Sequence, residues 1–319
     1  MRALVTGAAG FVGSHVAQAL LAAGAEVRGF DLAPGDGGCE LVVGDVCDRA
    51  ALARAIDGCD AVFHVAAVYS YRRADAARMR AVNVEGTRNV LDAALRGARA
   101  RRVVHTSSCA TCGPVAGRAA TEADAPAAWE LRVPYKRTKL DGEALALAAA
   151  REGADVVVVN PTTPVGPGDR RPTPTGRMVA DVARGRARAY LARSALNIVA
   201  VEDVAGGQML AYERGAAGRR YLLGGENLSL REVFAVIATA AGRRAPSLPV
   251  PWTIAYAAGL ASSAALGAIG REPALLNLDE IRVARLPMAF DDARARAELG
   301  YSSRPAAGAL AAAALASVA

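Results

Sequence analysis

Ala3-Leu-Val-Thr-Gly7-Ala-Ala-Gly10-Phe-Val-Gly13 is the stretch that decides the fold. Ala3–Thr6 is a short apolar run, read as a buried strand, and a helical pattern follows from His15 to Ala23 before Gly24. Strand, glycine turn and helix, in that order, are the context a dinucleotide-binding fingerprint needs. Gly7 permits the tight turn, Gly10 lets the backbone approach a pyrophosphate, and Gly13 allows close helix–strand packing. Phe11 and Val12 open the helix, whose first amides are free to donate to an anion. The spacing is GxxGxxG rather than GxGxxG, and a purely structural turn is the plainer alternative.

Glu26–Phe30 is a second strand and ends in Asp31. A carboxylate there accepts hydrogen bonds from a ribose diol and repels a 2′-phosphate, which favours NAD over NADP. Arg28 lies inside the strand and is badly placed to bind that phosphate. A third strand, Leu41–Val43, runs into Gly44-Asp45-Val46. Asp45 and Val46 are assigned to the adenine end, with helix capping toward Ala50 as the rival role for Asp45. A fourth strand, Ala61–His64, continues into Val65-Ala66-Ala67, whose small side chains leave room for a cofactor. His64 reads as structural. Tyr69-Ser-Tyr71-Arg-Arg73 is a loop that faces substrate through Tyr71, and Asn83-Val-Glu-Gly-Thr87 opens a helix to Leu95. Arg102–His105 is a fifth strand, ending in Thr106-Ser107-Ser108.

Farther along stands Val133-Pro-Tyr135-Lys-Arg-Thr-Lys139. The Tyr135–Lys139 spacing places both side chains on one helix face. An ammonium beside a phenol favours the phenolate, making Tyr135 a candidate proton carrier. Of the chain's 38 Lys and Arg residues, only Lys136 and Lys139 are lysine. A chain this rich in arginine keeps lysine here, where a compact, tunable ammonium is wanted.

With these motifs in this order the chain resembles the extended short-chain dehydrogenase/reductases. The glycine turn, Asp31, Asp45-Val46, HVAA, NVEGT, TSS and YKRTK carry the resemblance, which runs along essentially the whole chain. It implies a Rossmann-type α/β fold, a doubly wound parallel sheet with a smaller C-terminal substrate-binding region. It implies that Ser108, with Ser107 as the near alternative, holds the reacting oxygen while Tyr135 carries the proton. Lys139 would hold the nicotinamide ribose and lower the tyrosine pKa. Sugar-nucleotide dehydratases of that superfamily have an Asp-Glu pair after the catalytic hydroxyl. Here Cys109-Ala110 stands there, so water elimination lacks its acid and base.

At 319 residues, 53% hydrophobic and 22% charged, the composition is that of a globular chain with a sizeable core. The net charge of +7 is spread along the sequence, not gathered into a run interleaved with aromatics, so nucleic-acid binding is not expected. The five cysteines are an odd number without disulfide-scaffold spacing. With no leader-like pattern at the start, a cytoplasmic location is expected. Cys109-Ala-Thr-Cys112 has no second pair to complete a zinc site, and no metal is expected.

In the second half, Asp141–Arg151 is a helix and Asp155–Val159 a sixth strand. The proline-rich run Asn160–Asp169, extended by Pro172–Gly176, reads as a shaped lid or substrate edge. Pro161 is assigned to the cofactor, and Asn160, Thr163 and Arg177 to substrate. Residues 1–160 are expected to bind NAD and 161–319 to be mostly substrate-binding, with elements around 195–225 returning to the first part. NPTTPVGPGD, PTPTGRMV, LNIVAVEDVAGG and YLLGGENLSLRE resemble the hopanoid-associated sugar epimerases, relatives of dihydroflavonol reductases.

Typical epimerases have Arg-Asp-Tyr-Ile-His-Val before the Asp-Val-Ala helix, where the arginine grips phosphate; this chain has Leu196-Asn-Ile-Val-Ala-Val201. The Arg-Pro-Gly-Asp signature near the C-terminus is replaced by Arg282-Val-Ala-Arg285-Leu-Pro, leaving Arg177, Arg231 and Arg282 as candidate phosphate ligands. Trp252–Ile269 carries no charge but is rich in Ala, Gly and Ser. It reads as a buried or surface-docking helix, with peripheral membrane contact as the minority reading.

The main reading is an NAD-dependent epimerase acting on a sugar or lipid-linked small molecule. A dihydroflavonol-reductase- or hydroxysteroid-dehydrogenase-like carbonyl reductase is the alternative, and a non-catalytic NAD-binding regulator the third. A homodimer through two helices is a family expectation.

Overall fold

The computed structural model describes residues 1–34, 38–95, 101–267 and 277–318. Its strands are β1 (Arg2–Thr6), β2 (Glu26–Asp31), β3 (Glu40–Val43), β4 (Ala61–His64), β5 (Arg102–Thr106), β6 (Val156–Pro161), β7 (Thr163–Val165), β8 (Ala189–Leu191), β9 (Ala195–Ala200), β10 (Arg220–Leu223), β11 (Glu226–Ser229) and β12 (Leu248–Val250). The α-helices are α1 (Phe11–Ala22), α2 (Arg49–Ile56), α3 (Ala76–Arg80), α4 (Thr87–Leu95), α5 (Pro134–Arg151), α6 (Pro174–Ala183), α7 (Val201–Arg214), α8 (Leu230–Ala240), α9 (Trp252–Gly267), α10 (Leu278–Val283) and α11 (Ala306–Val318).

The main sheet has seven strands in the order β10-β6-β5-β4-β1-β2-β3. Every pairing in it is parallel. Unbroken apolar runs such as Val156–Val159 suit a sheet covered on both faces. One face is closed by α1 and α7 over Val5, Phe63, Val104 and Val159. The other is closed by α2, α4 and α5 over Leu4, Val62, Val103 and Val158. Strand order reverses between β1 and β4. In open parallel sheets of this kind ligands bind outside the carboxyl ends of the strands at that point.

The C-terminal part has its own core, in which α6, α8 and α11 enclose Val165, Ile198, Val233 and Leu310. The stretch around 195–225 divides. Helix α7 packs on α1 and β10 extends the main sheet beside β6, whereas β9 joins a small three-stranded sheet with β7 and β11. Helix α9 packs on α10 and turns Ile254 and Leu260 outward. The sequence segment considered for membrane contact extends past Gly267 into 268–276, outside the described residues. No described helix is long and apolar enough to cross a membrane.

Candidate active site

The glycine turn is closed by geometry that side chains would break. Gly7 has φ +73°, and a Cβ there would come within 2.8 Å of the Ala66 backbone. A Cβ on Gly13 would run into the Gly7 carbonyl oxygen. The turn is tied to β2, because the Gly7 amide donates to the Phe30 carbonyl (2.8 Å) and the Ala9 amide to the Asp31 carboxylate (3.0 Å). Helix α1 starts at Gly10 without a side-chain cap and without acidic residues in its first turn, so its amides remain available to an anion.

Asp45 does not cap α2. That role falls to Asp48, whose carboxylate accepts from the Ala50 and Ala51 amides. Asp45 instead accepts from the Cys47 amide (2.9 Å) and from both terminal nitrogens of Arg78 (3.1 Å each). Burial works against its ionised form, but those donors outweigh it and hold the carboxyl below its usual range. Arg28 is already engaged, bonding Glu40 and the carbonyls of Ala55 and Asp57.

Tyr135 and Lys139 stand near the start of α5, which Pro134 opens at a position where no amide is needed. One turn later on the same face is Glu143. The Lys139 ammonium donates to the Thr106 carbonyl (2.8 Å), and burial lowers its pKa to about 8 against the pull of Glu143. Ser108 accepts from the Ala110 amide (3.2 Å), and its hydroxyl also acts on the Tyr135 phenol. Burial pushes the Tyr135 phenol up, Tyr69 adds to the rise, and Ser108 works against both. Helical spacing alone predicts a phenol lowered by Lys139; in this structure desolvation dominates, and the ammonium is directed at Thr106.

A polar network behind the reactive face was not foreseen. Glu143 is 1% exposed and Asn160 is wholly buried. The Asn160 amide donates to the Ser108 carbonyl (3.1 Å) and to Glu143 (2.6 Å), while Glu143 also receives Thr111 (2.8 Å) and Arg220 (2.7 Å). Asn160 therefore braces the Ser108 turn and does not face substrate, which corrects its assignment. Lys136, the other lysine, is buried in an ion pair with Glu130 and donates to the Gly113 carbonyl (2.8 Å). The (i, i+4) repeat through Tyr135, Lys139 and Glu143 was the signal for Glu143, and the rarity of lysine was the signal for Lys136.

A single cavity of about 1160 Å³ joins these parts. Gly7, Gly10, Phe11, Val12, Gly13, Asp31, Asp45, Val46, Ala66, Ala67 and Pro161 line it, as do Ser108, Tyr135 and Lys139. Tyr71 and Thr163 also reach it, and the Pro161–Thr175 run forms one edge. Arg177 does not. It is exposed and donates to the Pro172 carbonyl (2.9 Å), because α6 turns it away from the cavity. Neither Arg231 nor Arg282 lines the cavity; Arg282 is bonded to Asp279 (2.7 Å). Tyr69 packs on Tyr135 with ring centroids 4.4 Å apart, and its hydroxyl lies 3.3 Å from that of Tyr71. Leu191, Leu196, Leu230, Ile281, Val283 and Met288 make the far wall apolar.

Cys109 and Cys112 are buried free thiols, each pushed up to about 12 by burial. His64 is held between Thr6 (2.8 Å) and Thr87 (3.0 Å), and burial takes its pKa down to about 3. Among the described residues no group of three His, Cys, Asp or Glu is arranged to hold a metal.

Residues 3–224 match the NAD dependent epimerase/dehydratase family, and the chain belongs to it. It is 37% identical over 307 residues to a putative dihydroflavonol 4-reductase of Synechocystis sp., covering 93% of this chain and 88% of that one. Sterol demethylase protein B of Methylococcus capsulatus is 35% identical over 307 residues, covering 94% and 93%. Among solved structures, a nucleoside-diphosphate-sugar epimerase from Pseudomonas aeruginosa superposes with a TM-score of 0.80 at 26% identity, over 99% of this chain and 97% of that one. The chain is thus an enzyme of an NAD-dependent oxidoreductase family.

Proposed function

We propose that this enzyme interconverts a secondary alcohol and its ketone on a largely apolar carbon skeleton. The observation that carries this reading is Leu196. It stands where typical sugar epimerases resembling this chain have a phosphate-gripping arginine, and it lines the cavity with other apolar side chains. Asn197, next to it, is turned inward, bonding Gly225 and Asn227. The similarity to a dihydroflavonol reductase and to a sterol demethylase component supports the same reading.

The cradle of Gly7, Gly10 and Gly13, the open α1 amides and Asp31 fit a dinucleotide, and we assign them to NAD. Asp31 sits at the end of β2 with Leu32 after it and Arg28 already engaged, which disfavours a 2′-phosphate. NAD, when bound, supplies the acceptor or donor of hydride at the reacting carbon. Tyr135 takes the hydroxyl proton during oxidation and returns it during reduction. Ser108 donates to the carbonyl oxygen as charge develops on it. Lys139, buried one helical turn from Tyr135 and donating to the Thr106 carbonyl, is assigned to the nicotinamide ribose. Cys109 and Ala110 offer no acid–base pair for dehydration.

The second reading is the sugar epimerase, hopanoid-associated by resemblance, in which the ketone is retained and reduced on its other face. The similarity to a nucleoside-diphosphate-sugar epimerase favours it. Denaturing freshly purified protein and identifying released nucleotide by mass spectrometry separates the two. The alcohol–ketone reading predicts protein that exchanges and turns over added NADH. Near-stoichiometric, non-exchanging NAD contradicts it, and a preference for NADPH contradicts the role given to Asp31.

A further inference from the structure

We propose that Glu280 reads a second hydroxyl group of the substrate, remote from the carbon that reacts; this rests on the alcohol–ketone reading above. Four carboxylates reach the cavity: Asp31, Asp45, Asp169 and Glu280. Three are engaged by protein donors. Asp31 takes the Ala9 amide, Asp45 the Cys47 amide and Arg78, and Asp169 the Thr173 amide (3.0 Å) and hydroxyl (2.7 Å). Among the described residues, nothing donates a hydrogen bond to the Glu280 carboxyl. Only its backbone is used, the amide donating to the Asn277 side chain (3.3 Å) and the carbonyl accepting from the Ala284 amide (3.2 Å).

A half-buried carboxyl with no donor is costly unless a ligand supplies one. Burial raises the Glu280 pKa, with Arg177 working weakly the other way. Its neighbours Ile281, Val283 and Ala284 line the same wall and offer no hydrogen-bonding side chain. Its charge is felt by the phenols of Tyr69 and Tyr71, and Tyr69 packs on Tyr135. Glu280 and these tyrosines line the same cavity.

Its position is fixed by residues that do not use it. The Asn277 amide donates to the Tyr71 carbonyl (3.2 Å), buried Asp279 is bonded to Arg282 and paired with Arg73 (3.3 Å), and Trp252 donates to the Ile281 carbonyl (2.7 Å). A rigidly held acceptor in an apolar wall selects a substrate whose apolar frame carries a hydroxyl at the matching place.

The test uses wild-type enzyme, Glu280→Leu and Glu280→Gln, each supplied with NADH as hydride donor. Two steroid 3-ketones serve as probes, one with a hydroxyl on the distal ring and one without. Wild type is expected to favour the hydroxylated probe by about tenfold in KM. Glu280→Leu should lose that preference, keep kcat on the plain probe within about twofold and melt no lower than wild type. Glu280→Gln, which keeps an acceptor oxygen, should retain part of the preference. A preference that survives in Glu280→Leu, or is absent in wild type, overturns the proposal. So does a Glu280→Leu variant that melts well below wild type, since that marks a structural role. Turnover of neither probe by wild type contradicts the alcohol–ketone reading itself and takes this proposal with it.

Discussion

Where α5 meets β5 and β6, the cavity is backed by charge: Glu143, Arg220 and Asn160 interlock behind Ser108, Lys139 is bonded to the Thr106 carbonyl, and Lys136 pairs with Glu130 beside them. Across the cavity, β8, β9 and α10 present Leu191, Leu196, Ile281 and Val283, with Glu280 as an acid that no described residue pairs. The first region suits the proton transfer proposed above, which requires many directional bonds in a dry setting. The second selects by shape and by one polar contact, which requires few. Chemistry and specificity are therefore separable by mutation.

The largest effect belongs to the reactive side. Tyr135→Phe should lower kcat by about 10²–10⁴-fold while leaving NAD binding, followed by calorimetry, unchanged. Unchanged turnover would remove the proton-carrier role. Next comes the buried pair. Lys136→Met strands Glu130 without a counter-charge and should cost about 3–5 kcal/mol in denaturant unfolding, most of it recovered in the Lys136→Met, Glu130→Leu double variant.

Lys139 should behave in the opposite sense. Its folded pKa of about 8 lies below the ordinary 10.5, so the folded state disfavours its charge. That penalty is full below pH about 8 and fades as pH rises toward 10.5. Cofactor-free Lys139→Met should thus be up to about 3 kcal/mol more stable at neutral pH, with the gap closing in alkali, although it loses activity. A gap independent of pH would refute this. The smallest effect is on the apolar wall, where Leu196→Arg should raise KM for an apolar ketone by about tenfold with little change in kcat.

The parallel sheet was readable because each strand is a compact apolar run and Gly7, Gly10 and Gly13 mark the first turn unambiguously. Tyr135 and Lys139 were readable because helical spacing fixes their face. Asn160 was misassigned because a polar residue at a strand end reads the same whether it turns to substrate or into Glu143; only the packed fold decides. The rise in the Tyr135 pKa was missed for a related reason, since desolvation depends on neighbours such as Tyr69 that come from another part of the chain. Strand β9 was grouped with the returning elements, yet it pairs with β7 and β11, partners that periodicity does not name. Glu280 lies far from the other site residues in sequence and carried no local signal.

The most direct test of the central claim is the stoichiometry of NADH consumed to alcohol formed with an apolar ketone, followed by absorbance and product analysis in one reaction. The alcohol–ketone reading predicts one alcohol for each NADH oxidised, and loss of both signals in Tyr135→Phe. Inversion of a substrate stereocentre with no net change in NADH would contradict it.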